Sequence, residues 1–308
     1  MPKVEAGGDG MYACFLSSSG RILYDSFVYP RHTDATLCST PEYLLDVDSR
    51  VVEDLVAHMK RYKLRKKVVI QPSTAFSAFQ IWGPDSLSLW GSVAPVDKPL
   101  VPNGCLVPRD RFGNVPGTRD PRCQSLGVRV LASSCDELKL PEKFARADPE
   151  EYRIMRYIHG VPEGIDELFV GKSLPLESNM DLNQGVDFRK GCYLGQELTI
   201  RTYHTGVTRK RIMPIQLSKP GHPPASETVL GDSSVLDRTA SLDLPPSGSN
   251  IVNEKGRVVG KFCSGIHNIG LALLRLEEIG PHDGQLSASN GLLVSAALKP
   301  GWWSGQTV

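Results

Sequence analysis

The chain has 308 residues, with 35 basic and 34 acidic side chains, so its formal net charge is +1 and no bulk field steers it toward nucleic acid or a membrane as partner. No apolar run approaches the roughly 18 to 20 residues that a helical membrane span requires. The cysteines, Cys14, Cys38, Cys105, Cys123, Cys135, Cys192 and Cys263, are scattered without a C-x-x-C pair. That distribution argues against a disulfide framework, fits a reducing compartment, and leaves a self-contained zinc or iron–sulfur site without its usual paired ligands.

Residues 1–10 are polar and glycine-rich and read as neither a secretory signal nor an arginine-rich transit peptide. Residues 12–16 and 22–29 are expected to be strands, joined by the turn-like Ser17-Ser18-Ser19-Gly20. A third apolar run covers 42–47. Asp48 or Ser49 then caps a helix whose apolar residues Val52, Leu55, Val56 and Met59 fall at helical spacing. A basic stretch (Arg61, Lys63, Arg65, Lys66, Lys67) leads into a predicted strand over 68–71. Residues 95–121, rich in proline and glycine, read as an excursion from the core, and 128–132 return to a strand. Asp148 is a cap for the next helix, Pro149 suits its first turn, and Glu151 completes a capping-box-like pair. Tyr152, Met155 and Ile158 are expected to share its buried face, with Gly160 as the stop.

Residues 218–250, dense in Ser, Pro, Gly and Asp, read as a long loop or disordered insertion. Beyond them, 257–262 and 270–276 are predicted strands, with Glu254-Lys255-Gly256 as a hairpin tip. Short strands punctuated by glycine predict a small C-terminal β-barrel or sandwich. The expected fold class is therefore α+β: a mixed α/β domain over 1–205, then a barrel domain over 206–308. This boundary puts the segment Lys190-Gly191-Cys192-Tyr193-Leu194-Gly195-Gln196-Glu197 where two domains meet, a common place for a ligand pocket.

That segment concentrates chemistry. Glycines on either side allow φ > 0 or close backbone approach, and Lys190 favours a thiolate at Cys192. The alternative is a small buried hydrophobe in a tight turn. Glu177 and Asn179 precede the segment, and Gln196, Glu197, Arg201 and His204 lie in or after it. An adjacent amide and carboxylate can bind the edge of a nitrogen heterocycle, whereas helix capping is their structural alternative. Asp25 interrupts an apolar strand, and an aspartate alone in a strand is expected on the solvent face. Gly171-Lys172-Ser173 is not a phosphate loop, because Asp166 stands where the required earlier glycine should be. The basic run 61–67 and Arg209-Lys210-Arg211 read as solvated faces, with phosphate or polyglutamate contact as the functional alternative. Trp302-Trp303 reads as a packing anchor.

Residues 190–197 resemble the K-G-C-[FY]-x-G-Q-E signature of folate-binding proteins related to the glycine-cleavage T-protein, in their bacterial and mitochondrial iron–sulfur branch. Asp120-Pro121-Arg122, Gly160-Val161-Pro162-Glu163-Gly164, Pro175-Leu176-Glu177-Ser178-Asn179 and the stretches 206–211 and 270–274 are similar to the same branch. The resemblance implies a mitochondrial-matrix protein that helps mature [4Fe–4S] enzymes such as aconitase, lipoate synthase and radical enzymes, together with A-type assembly proteins. It implies tetrahydrofolate as cofactor, with Glu177, Asn179, Lys190, Gly191, Tyr193, Gly195, Gln196, Glu197 and Arg201 around it. Cys192 would act on, or transiently ligate, a [2Fe–2S] or [4Fe–4S] cluster shared with a partner, since one thiolate cannot hold a cluster.

Asp25 falls on the strand that bears the catalytic aspartate of the aminomethyltransferases, but their acidic pair is here Tyr24-Asp25. The family's early L-x-T-N-[DE] segment has no match, so its first strand and helix are expected to be missing. The alternative function is a folate-dependent one-carbon transferase with Asp25 as acid/base. A third reading is an interaction adaptor.

Overall fold

The computed structural model describes residues 10–31, 42–90, 115–222, 235–279 and 285–296. The chain divides into two compact units. The first comprises Met1–Phe15, Tyr24–Arg146 and Asn183–Lys190, and the second Leu16–Leu23, Ala147–Leu182 and Gly191–Val308.

Strands β1 (Met11–Leu16), β2 (Ile22–Arg31) and β3 (Glu42–Asp46) form a sheet in that order, which belongs to the first unit except for Leu16 and Ile22–Leu23. Tyr12 and Tyr29 are fully buried, as the apolar character of these strands demands. Helix α1 (Val52–Tyr62) follows a short turn in which the Asp48 carboxylate accepts from the Arg50 amide, and Leu55 is its buried anchor. A second antiparallel sheet has the order β4 (Ser77–Ile81), β6 (Val128–Ala132), β5 (Gly117–Arg119). Val128, Val130 and Ala132 alternate into a core with Ile81, Leu89 and Leu138. Arg129, on the opposite face, reaches Asp46 of β3 at 2.6 Å and ties the two sheets together.

The strand predicted over 68–71 does not form, and Val68 and Val69 are exposed. Val68-Val69-Ile70 is continuous rather than alternating, and Pro72 ends it without a ladder donor. Sheet pairing falls instead to 77–81, where Phe79 and Ile81 point to the core and Gln80 to the other side.

In the second unit, α2 (Pro149–Ile158) is capped by Asp148, which accepts from the Glu150 amide. Its buried face is Ile154, Tyr157 and Ile158 together with Arg156, so the helix is rotated from the predicted Tyr152–Met155–Ile158 face. The cause is an ion pair the sequence does not advertise: Arg156 donates to Glu167 at 2.7 Å, which makes the interior side acceptable to a guanidinium. Glu151 does not close a capping box, because its carboxylate receives a two-pronged bond from Arg238. Helix α3 (Gln196–Thr205) precedes the barrel.

Strands β7 (Lys210–Ser218), β8 (Asn250–Val252), β9 (Val258–Ile266), β10 (Ile269–Arg275), β11 (Leu286–Ala288) and β12 (Leu293–Ser295) close into a barrel in the order β10-β7-β12-β11-β8-β9. Met213, Ile215, Ile251, Ala272 and Leu274 fill it. The predicted hairpin tip forms with Gly256 at φ 72. Within the glycine- and serine-rich stretch, Val235 is buried and its carbonyl accepts from Gln216 and Asn268. Residues 223–234, most of the 95–121 excursion and Trp302-Trp303 lie outside the described residues. The mixed α and β elements followed by a closed C-terminal barrel are the architecture the sequence predicts.

Candidate functional site

Cys192 lies in irregular backbone and is exposed, so the buried-hydrophobe reading of this thiol does not hold. Its two glycines do different work. Gly191 has no positive φ, and nothing stands within 4 Å of where a Cβ would be. Gly195 sits at φ 77 as the N-cap of α3, where a Cβ would strike the Ser17 carbonyl oxygen and stand 3.0 Å from the Gly20 Cα. The start of α3 is thus seated on the Ser17–Gly20 turn, and only a residue without a side chain fits. Gln196 is occupied locally: its Oε1 accepts from the Tyr193 amide at 3.1 Å and braces the turn into the helix. Glu197 and Arg201 are exposed on α3, with Glu197 in the first turn, where the helix dipole favours an acid. Lys190 is half-buried, and desolvation pulls its ammonium below the ordinary lysine range.

Glu177 and Asn179 belong to a tight turn against β7. Asn179 is fully buried at φ 60, and its amide donates to the Ile212 carbonyl at 2.7 Å. Arg211 braces the same turn, donating to the Leu176 carbonyl and, in a fork, to Asp181. These bonds make Asn179 and Arg211 brackets that hold Glu177 in place.

Glu177 itself borders a cleft of about 800 Å³ within the second unit. Lys172, Lys210, Lys261 and Arg275 line it, with Phe169, Val259 and Leu273 as apolar wall. Burial pushes the Glu177 carboxyl above the ordinary range, against the opposing pull of Lys210, Arg21 and Arg275. Cys263 also lines the cleft, but burial pushes its thiol up to about 12 and keeps it protonated. Neither Cys192 nor Gln196, Glu197 or Arg201 is among the described residues that line it.

In the first unit, Asp25 is 7% exposed and accepts from the Tyr12 hydroxyl at 3.1 Å, so the expected solvent-facing position is wrong. The Tyr12 hydroxyl gives this buried carboxylate a bonded partner within an otherwise apolar strand. Cys14 feels that charge, its thiol pushed up to about 12 first by burial and then by Asp25. Arg122 stands over the Tyr12 ring at 5.1 Å and the Phe27 ring at 4.6 Å, and Arg129 over Phe27 at 4.7 Å. Arg122 forks onto Asp120, both side chains fully buried. The Tyr29 hydroxyl and Gln80 Oε1 are buried here without hydrogen-bond partners among the described residues. Asp120-Pro121-Arg122 was visible as a resemblance, but its place beneath the aromatic strand residues was not. Among the described residues no group of three or more His, Cys, Asp and Glu is placed to hold a metal ion.

Comparison with known proteins adds three findings. Residues 209–305 match the family described as "CAF17, C-terminal beta-barrel domain". The chain is 39% identical over 287 residues to the "Iron-sulfur cluster assembly factor IBA57 homolog, mitochondrial" of Aspergillus fumigatus, 87% of this chain and 61% of that protein. It is 37% identical to the protein of the same name from Mycosarcoma maydis, covering 87% and 63% respectively. The chain therefore spans about three-fifths of the length of these relatives. Among solved structures, the glycine cleavage system aminomethyltransferase T from Bartonella henselae superposes with a TM-score of 0.59 at 11% identity, covering 95% of this chain and 76% of that one. At that identity the likeness shows a shared fold.

Proposed function

We propose, from its similarity along 87% of its length to proteins named as mitochondrial iron–sulfur cluster assembly factors, that the chain serves cluster assembly in the mitochondrial matrix. The carrying observation is the exposed Cys192 on open backbone beside Gly191, presented from a firmly seated helix start. A thiol so placed can reach a cluster on another protein, and that protein must furnish the remaining ligands. A-type assembly proteins are the proposed partners, and [4Fe–4S] enzymes such as aconitase, lipoate synthase and radical enzymes the clients.

The residues of the cleft fit a tetrahydrofolate-like ligand. Glu177 offers a carboxyl to ring N–H groups, the apolar wall suits a ring system, and the surrounding lysines and Arg275 suit an anionic tail. Such a group, when bound, would supply one-carbon carrier chemistry. What the chain itself contributes is orientation, through Glu177 held by the Asn179 and Arg211 brackets. Gln196, Tyr193 and Gly195 are better assigned to shaping the turn into α3 than to this cleft.

The test compares wild type with Cys192→Ala in cells and with a reconstituted partner under anaerobic conditions. Maturation of client enzymes should fail while the variant's melting curve is unchanged, and normal aconitase activity would defeat the assignment. A second reading, one-carbon transfer with Asp25 as acid/base, is favoured by the burial of Asp25 and its bond from Tyr12. Turnover of a methyl or aminomethyl donor that disappears in Asp25→Asn would establish it instead.

A further inference from the structure

We propose that residues 61–70 form a peripheral docking surface for an anionic phospholipid bilayer, a role separate from the cluster-assembly reading. Helix α1 ends at Tyr62, with Lys63 as its C-cap. The next residue, where glycine commonly takes the left-handed conformation, is Leu64, at φ 50 and 82% exposed. A leucine is disfavoured there twice over, by its backbone conformation and by its exposure. Val69 is 86% exposed, and Val68 and Tyr62 are exposed beside it.

The loop is shaped by its own bonds and not left loose. The Lys66 amide donates to the Lys63 carbonyl at 3.0 Å, the Val68 amide to the Lys66 carbonyl at 2.9 Å, and Lys63 Nζ to the Val68 carbonyl at 2.8 Å. This closure spends Lys63 and turns Arg61, Arg65, Lys66 and Lys67 outward, all exposed. No acidic residue occurs between Asp54 and Asp85. Ion pairs among the described residues are made elsewhere, for example Arg50–Asp48 and Lys143–Asp85, and none includes these four cations. Lys60 and Arg61 do complement the C-terminal end of the α1 dipole, but Arg65, Lys66 and Lys67 lie beyond the helix.

The composition favours lipid over protein as the opposing surface. Protein interfaces are depleted in lysine and centred on buried aromatic and arginine anchors. Here lysines and an arginine surround protruding aliphatic tips, with one tyrosine whose ring lies under Arg61 at 5.7 Å. Basic heads with apolar tips are what an interfacial segment presents to acidic headgroups and the acyl boundary beneath them. The balanced charge of the whole chain conceals this local surplus.

The experiment is sedimentation of the full chain with vesicles of phosphatidylcholine alone and of phosphatidylcholine containing phosphatidylglycerol. Binding is expected only with the second, and should weaken as salt is raised. The combined variant Arg61→Ser, Arg65→Ser, Lys66→Ser, Lys67→Ser should bind more than about tenfold more weakly. Leu64→Ser with Val69→Ser should also weaken binding, with melting curves confirming that both variants fold. The proposal is overturned by absence of binding to the anionic vesicles, by equal binding to neutral ones, or by either variant binding like wild type. Retention of the loop by soluble polyglutamate in preference to vesicles would assign it to an acidic polypeptide instead.

Discussion

An alanine at position 195 would have to hold φ near 77 and drive its Cβ into the Ser17 carbonyl, whereas one at 191 would meet open space. Gly195→Ala should therefore destabilise the protein by about 1–3 kcal/mol, and Gly191→Ala should stay within about 0.5 kcal/mol of wild type, as read from urea unfolding. If Gly191→Ala is stable yet impairs client maturation, the backbone at 191 is needed for approach of a partner and not for shape. Glu177 supports a second prediction, through pH. Its folded-state carboxyl is raised from the ordinary 4.5 by desolvation, so the native state holds its proton to higher pH than the unfolded chain does. Stability then falls as pH rises from about the ordinary value through the raised one, and the penalty is absent below that window. Glu177→Gln removes the ionisation. The variant's stability relative to wild type should improve across that interval and level off above it, in melts recorded from acid to neutral pH. A relative stability that does not change with pH would mean the carboxylate is compensated in place.

At the scale of elements, what the sequence disclosed and what it hid separate along a physical line. Strands β1 and β2, helix α1 and the barrel hairpin at Gly256 were readable because local signals agreed: apolar periodicity, a capping Asp48 and a glycine at the turn. The face of α2 was misjudged because burial of Arg156 depends on Glu167, eleven positions away, and on a Tyr157 hydroxyl that bonds both Glu167 and Ser264. The strand expected at 68–71 failed for a more local reason, since Pro72 ends the short apolar run without a ladder donor. The candidate site divides in the same way. The Cys192 segment announced itself through residue types that few structural turns combine. The cleft did not, because Lys172, Glu177, Lys210, Lys261 and Arg275 come from distant positions and meet only once the barrel is closed. Asp25 was conspicuous in sequence, yet its burial and its bond from the Tyr12 hydroxyl on the neighbouring strand are not revealed by any strand pattern.

For the whole molecule, a formal net charge of +1 suggests a protein indifferent to charged surfaces near neutral pH. Net charge is a sum, however, and adhesion depends on how charge is distributed. Salt-screened interactions act over only about 8–10 Å, so a column or surface senses a patch and not the total. The exposed cluster Arg61, Arg65, Lys66 and Lys67 should therefore retain the chain on a cation exchanger at pH 7 despite the near-zero total. Changing these four to serine takes the formal charge from +1 to −3, which would by itself reduce retention. A matched variant isolates the effect of clustering. Arg146, Arg153, Lys219 and Lys255 are also exposed and are dispersed along the chain, and their replacement by serine gives the same −3. If distribution governs, the dispersed variant should elute close to wild type and the clustered one should flow through. Equal losses in both would show that total charge suffices and that the 61–67 cluster carries no more weight than its count.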